Sequence, residues 1–324
     1  MESLGVSLRR AVGITDIACA AHVRSVDSDE EDGSFEDAPV VAASVFKAHI
    51  RSVDSDEVAG ISEDDPVVAA SVFKVIVALE FCRQVSAGEI EPSEMVRSSV
   101  ADRTPGPTGL SIFADEAVVS LRDLATSMMA VSDNAATDIL LDRVTVERVN
   151  QTARSLGATK THVAYGIRGL LSTMTAEAGL QTWNDVLRED PLYERLQESS
   201  ALRPEATTRT TPRDMTTLLS SIWTDSAGPP EACAEVRRLM GMQPSGRLGV
   251  GLPGAQVFAK SGSLLGAVRN EVGVAEFPRG ERYAIAIFTR SPRTDFSVGA
   301  QIDRAIGEVA NLLVKELQER PSRD

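Results

Sequence analysis

The apolar and polar positions of the chain fall into three regimes. The first is a run from Pro66 to Phe81, in which the fifteen residues after the proline are almost wholly apolar and hold one hydroxyl, Ser71, and one ammonium, Lys74. Proline suits a first helical position, and a helix apolar on every side is a buried one, so the pattern predicts a core helix opened by Pro66. Ser71 and Lys74, three apart, share a face of that helix. Two readings of the pair stand: a core serine bonded to its own backbone beside a snorkelling lysine, or a nucleophile beside a lysine that burial keeps from holding its charge.

The second regime is helical. Leu121 to Val144 has the 3.6-residue period, interrupted by Ser132-Asp133-Asn134, which reads either as a short turn between two helices or as an ordinary N-cap. Val146 to Leu156 is amphipathic and stops at Gly157, and Ala176–Leu187 and Leu192–Leu202 are further helical pieces. Arg97 to Gly109 reads as a surface loop, and Thr211-Pro212 opens a helix that runs to Trp223. The third regime alternates with period two: a short strand Gln256–Lys260 broken by Ser261-Gly262-Ser263, a second strand Arg269–Phe277, and a third Tyr283–Phe288 after the Arg279-Gly280-Glu281 turn. Ile302, Ile306, Val309, Leu313 and Leu317 then line one face of a terminal helix. The predicted fold is α+β, an antiparallel sheet of early and late strands packed with terminal helices, plus an all-helical part. One domain is expected over residues 1–324, with the mixed part at about 1–70 and 213–324 and the helical part at about 71–212.

A repeat complicates the early strands. Residues 22–47 and 49–74 align without gaps, with 20 of 26 positions identical, which reads as a tandem duplication; two copies are too few for a solenoid. Ser44 and Lys47 therefore copy Ser71 and Lys74. Lys74 continues into Val75-Ile76-Val77-Ala78-Leu79, whereas Lys47 continues into Ala48-His49-Ile50-Arg51, which alternates like a strand. Only the second copy fits a long buried helix.

Composition narrows the function classes. The chain of 324 residues is 43% hydrophobic and carries a net charge of −14, which disfavours nucleic acid and anionic membrane surfaces. Cys19, Cys82 and Cys233 are too few and too far apart for a disulfide framework or a zinc site. No apolar run is long enough to span a bilayer, and Met1 to Ala21 lacks the apolar core of a secretory signal, so a cytoplasmic monomer without metal or cofactor is expected. Gly249 to Gly254 matches the dinucleotide fingerprint as a string but contains Pro253 and leads into a strand. Asp27 to Asp32 lacks the glycine of a calcium loop.

The polar interruptions fall in a meaningful order. Ser71-Val72-Phe73-Lys74, Ser132-Asp133-Asn134 and Lys260-Ser261-Gly262 are the three motifs, each on its expected element, by which the chain resembles the class A β-lactamases and penicillin-binding proteins. The likeness extends from about Ser52 onward. It implies a small-molecule substrate, a β-lactam or an ester or peptide with a carboxylate. Ser71 is then the nucleophile, Lys74 its base, Ser132 a proton relay and Lys260 the nearby cation that helps depress the Lys74 pKa. Asn134, Ser261, Gly262, Ser263 and Arg269 are expected to bind substrate, with the Ser71 and Ser263 N–H groups as oxyanion hole. The family's omega-loop glutamate, which activates the deacylating water, has no matching motif here; Glu194, Glu198 and Glu205 lie in the region, and none fits the pattern. The expectation is therefore a β-lactamase-like serine hydrolase, with slow deacylation if no carboxylate reaches the acyl-ester. An esterase or peptidase, a slow-deacylating penicillin-binding protein and a non-catalytic binding module are the alternatives.

Overall fold

The computed structural model describes residues 45–183, 196, 198–244, 246–292 and 299–319. In chain order the elements are β1 (Val45–Ser52), β2 (Val58–Ile61), β3 (Val67–Val68), a 3₁₀ turn (Ala70–Phe73) running into α1 (Lys74–Ser86), β4 (Met95–Ser98) and β5 (Ala117–Ser120). The helices α2 (Leu121–Ala130), α3 (Asn134–Val144), α4 (Val146–Ser155) and α5 (Ile167–Glu177) come next, then β6 (Arg209–Thr210), α6 (Pro212–Trp223), α7 (Pro230–Met240) and the single turn α8 (Leu248–Gly251). Strands β7 (Gln256–Leu264), β8 (Val268–Glu276) and β9 (Arg282–Arg290) and the helix α9 (Gly299–Gln318) complete the fold.

The main sheet has the order β2-β1-β9-β8-β7, antiparallel throughout, so two early strands join three late ones and β7 is an edge. Alternation sorts β9 between two cores. Tyr283, Ile285 and Ile287 meet Ile302, Ile306, Val309 and Leu313 of α9, while Ala284, Ala286 and Phe288 face the helical side. A strand covered on both faces reads as a continuous apolar run, as this one does. On the helical side α1 is the axis: Val75, Ile76, Val77, Ala78 and Leu79 are all at most 1% exposed and pack into one cluster with α2, α3, α6 and α7. The sheet and flanking helices are the expected α+β architecture. Among the described residues no helix is long and apolar enough to cross a membrane.

Several local expectations shift. Pro66 does not open the helix, because Val67 and Val68 pair with Thr210 and Arg209 as a two-residue ladder and the helical turn starts at Ala70. Ser261-Gly262-Ser263 does not break β7, which runs on to Leu264 in unbroken register with β8. The predicted loop at Arg97 begins inside β4, which pairs with β5 through Val96↔Val119. Helix α5 spans Ile167–Glu177; of the expected Ala176–Leu187, residues 178–182 are not helical and 184–187 lie outside the described residues. Of Leu192–Leu202, residues 192–195 and 197 lie outside the described residues, and Ser200–Leu202 forms a 3₁₀ turn. Of the repeat's first copy, residues 22–44, including Ser44, lie outside the described residues and Val45–Lys47 open β1; the second copy's His49–Ser52 continue β1 and its Val58–Ile61 form β2.

Candidate active site

Ser71 stands in the 3₁₀ turn at the entrance to α1, where three residues per turn stack it over Lys74. The residue before it, Ala70, holds φ +46°, a left-handed conformation that costs an alanine of order 1 kcal/mol and is held by its surroundings. Those surroundings are specific. Asn270 on β8 donates its amide to Val68 O (3.0 Å) and Ala69 O (3.3 Å) while accepting from Thr289 N (3.1 Å), tying the turn to the sheet. On β7, Gly262 runs so close that a Cβ there would sit 3.0 Å from both Ala69 O and Ser71 N. Glycine at this point lets the edge strand lie alongside the Ser71 N–H.

Lys74 is fully buried and spends its three N–H groups on Ser132 O (2.7 Å), Ser132 Oγ (3.2 Å) and Asn134 Oδ1 (3.2 Å). Ser132 presents both oxygens from a left-handed turn at φ +60°. Burial pushes the Lys74 ammonium down to about 7, against the opposing pull of Asp133 and Asp138. The expected help from Lys260 runs the other way: burial, and then the charge of Lys74, lowers Lys260 well below its usual value. Among the described residues no hydrogen bond reaches the Ser71 hydroxyl, which lines the open cavity.

Asp133, the middle residue of the triplet, is a structural hub. It caps α3 through Ala136 N (3.1 Å) and accepts from Leu110 N (2.5 Å), Ser127 Oγ (2.7 Å) and Ser111 Oγ (3.2 Å), so the N-cap reading and the turn reading both hold. Gly109, at φ +60°, is needed here, since a Cβ would lie 2.3 Å from Asp133 Oδ2. Asn134 donates Nδ2 to Pro105 O (2.9 Å), which leaves the second amide hydrogen for a ligand.

The Lys260-Ser261-Gly262 edge is organised by residues that belong to none of the three motifs. Gln243 Oε1 accepts from Lys260 Nζ (2.6 Å), Ser261 N (3.1 Å) and Ser261 Oγ (3.4 Å). Arg247, buried beside β7, donates to Gly262 O (3.1 Å), to Asn270 O and to Ser263 Oγ (2.7 Å). Arg269, expected to meet the substrate carboxylate, is held by Asp303 of α9 in a bidentate pair (2.7 and 2.5 Å), and Asp303 also takes Arg247 at 2.8 Å. Arg247 therefore bonds the β7 edge directly, while Arg269, on β8 opposite Ser263, is held by the carboxylate the two arginines share. Nothing in the spacing of Gln243 or Arg247 flags them; a polar Asn270-Glu271 pair within an otherwise apolar buried strand was the readable signal for the sheet side.

In front of Ser71 lies a cavity of about 750 Å³. Across it, Tyr165, Gly166, Ile167, Thr207 and Thr208 form the wall, positioned by Asp138, whose carboxylate takes Ile167 N (2.6 Å), Arg168 N (2.8 Å) and Thr104 Oγ1 (2.6 Å). Among the described residues no Asp or Glu lines this cavity. Glu198 and Glu205 are exposed away from it, and Glu194 lies outside the described residues.

An antiparallel sheet backed by a terminal helix, with a buried helix carrying Ser-x-x-Lys at the junction with a helical half, is the β-lactamase/transpeptidase fold. A family model described as "Beta-lactamase enzyme family" matches residues 38–317, and the chain belongs to that family. It is similar to "Beta-lactamase regulatory protein BlaB" of Streptomyces cacaoi, 29% identical over 264 residues, covering 75% of this chain and 83% of the relative. Among solved structures it resembles a β-lactamase from Sphaerobacter thermophilus (TM-score 0.71, 21% identity, 98% of both chains). It also resembles PBP-A (TM-score 0.68, 20% identity, 86% of this chain and 91% of that one), a mutant of which has been captured as an acyl-enzyme with penicillin G.

Proposed function

We propose that the chain opens β-lactams through an acyl-enzyme on Ser71 and releases the product slowly. Neutral Lys74 takes the Ser71 Oγ proton as Oγ attacks the lactam carbonyl, with the oxyanion resting on the Ser71 and Ser263 N–H groups. As the C–N bond breaks, the proton returns from Lys74 through the Ser132 hydroxyl to the leaving nitrogen. Asn134 and the Lys260-Ser261 edge hold the substrate, Arg247 and Arg269 supply positive charge near its carboxylate, and Gly262 lets the edge approach.

The observation that carries slow release is the absence of a carboxylate among the described cavity-lining residues: the wall facing the Ser71 ester is built by Tyr165, Ile167, Thr207 and Thr208, none of them an Asp or Glu. The name of the Streptomyces relative, a β-lactamase regulatory protein, supports a sensing role for such an adduct. Intact-mass spectrometry after a benzylpenicillin pulse tests the reading. The wild type is expected to keep a one-drug adduct through many minutes, Ser71→Ala to show none, and Ile167→Glu, which sets a carboxylate in the opposite wall, to shorten the lifetime about a hundredfold. Rapid turnover by the wild type would mean that a deacylating base is present, and no adduct at all would favour a binding module.

A further inference from the structure

The cavity in front of Ser71 is unevenly polar. Ser71, Asn134 and Ser263 mark its reactive end, whereas Ile167, Leu170, Leu171 and Trp183 build the far wall. The rim is apolar as well: Val100 and Phe113 both line it while remaining 52% exposed. The charged group on the described wall is Arg103, and its guanidinium is spent on its own loop, donating to Ser98 Oγ (3.2 Å), Ser98 O (3.0 Å), Phe113 O (2.5 Å) and Asp115 O (2.6 Å). The wall's hydroxyls are engaged too, Tyr165 donating to Thr207 Oγ1 at 3.0 Å and Thr208 Oγ1 accepting from Ala164 N at 3.1 Å.

We propose that the acyl donor this site takes carries a bulky, uncharged, apolar side chain, and that Ile167, Leu170 and Trp183 select it; the proposal rests on the acyl-enzyme reading above. The volume suits a small molecule whose apolar arm is buried while its reacting carbonyl is held at the polar end. An aromatic arm gains by leaving water against Leu170 and Trp183. A charged arm would be desolvated on a wall whose charged group among the described residues, Arg103, already has four of its five N–H donors engaged within its own loop. Trp183 also limits the reach of the arm. A second cavity of about 300 Å³ is bounded by the same Pro105, Leu171 and Trp183, so the indole stands between the two.

The test compares two penicillins that share a phenyl arm and differ by one carboxylate on it, benzylpenicillin and carbenicillin, by the second-order rate of adduct formation at Ser71. Benzylpenicillin is expected to acylate at least about tenfold faster. Trp183→Ala and Leu170→Ser, both at partly exposed positions, are expected to bring that ratio below about threefold, and Trp183→Phe to keep it. Equal rates, faster carbenicillin, or a ratio unmoved by either truncation overturns the proposal while leaving the acyl-enzyme intact. No Ser71 adduct from either drug overturns the acyl-enzyme reading itself.

Discussion

Val45-Phe46-Lys47 and Val72-Phe73-Lys74 are the same three residues in two copies of one repeat, and they fold differently. In the first copy they open β1, with Val45 53% exposed, Phe46 buried against the α9 side of the sheet, and Lys47 at the surface, 3.4 Å from Asp65. In the second they close the 3₁₀ turn and begin α1, where Val72 and Lys74 are 0% exposed and Phe73 enters the helical core. The local string is identical, so its own propensity decides nothing. The residues C-terminal to each lysine decide: Ala48-His49-Ile50-Arg51 alternates and pairs with β2 on one side and β9 on the other, while Val75 to Leu79 have no polar face to show to water. Chemistry obeys the same division. Burial makes Lys74 a group that can be neutral near pH 7, whereas the Lys47 ammonium keeps a solvent-facing partner.

Removing the two lysines in turn should break the pair apart most visibly. Lys74→Ala is expected to slow acylation of Ser71 by about 10² to 10⁴, the usual contribution of a general base, and Lys47→Ala to leave it unchanged with a stability change within about 1 kcal/mol. In the wild type and in Lys47→Ala the acylation rate, monitored by stopped-flow or quenched mass spectrometry, should rise about tenfold per pH unit below about 7 and flatten above it, because only neutral Lys74 accepts the proton. A flat profile would remove Lys74 from the role of base.

Exchanging continuations comes next in size. Ile76 occupies the place in the second copy that His49 occupies after the first, 27 residues earlier. Ile76→His should cost about 3 kcal/mol in urea unfolding, since it puts an imidazole where a fully buried Ile packs.

His49 itself supplies a smaller effect. It is 0% exposed in β1 and bonded through Nδ1 to Thr216 Oγ1 at 2.6 Å. Burial first, and then Arg213 and Arg51 against the weaker pull of Asp64, lower its pKa to about 4. A histidine held neutral below its unfolded value of 6.5 stabilises the fold above that pH and loses the contribution as pH falls toward 4, so the unfolding free energy should drop by about 2 kcal/mol between pH 7 and 5. His49→Gln should flatten that part of the profile; an unchanged slope would assign it to other groups.

Much of this site was readable in one dimension because its motifs are local. Ser71 and Lys74 are one turn apart, Ser132 and Asn134 flank one N-cap, and Lys260 to Ser263 are consecutive on a strand. The alternating strands and the Thr211-capped α6 were legible for the same reason. Pro66 misled, since the ladder that keeps Val67 and Val68 out of the helix is formed with Arg209 and Thr210, far along the chain. Strand β4 has four residues, three of them at least partly exposed, too short and too wet for a periodic signal. Gln243, Arg247 and Asp303 reach the β7 edge only through tertiary packing, and Gln243 and Arg247 sit in a Gly- and Pro-rich stretch without period.

The central claim is that the second copy alone carries the nucleophile, and trypsin separates the two copies cleanly. Ser25–Lys47 and Ser52–Lys74 are peptides of 23 residues each, distinct in mass, with Ser44 in one and Ser71 in the other. Peptide mapping after benzylpenicillin treatment is expected to place the adduct on Ser71 within Ser52–Lys74. An adduct on Ser44, within Ser25–Lys47, would contradict the account.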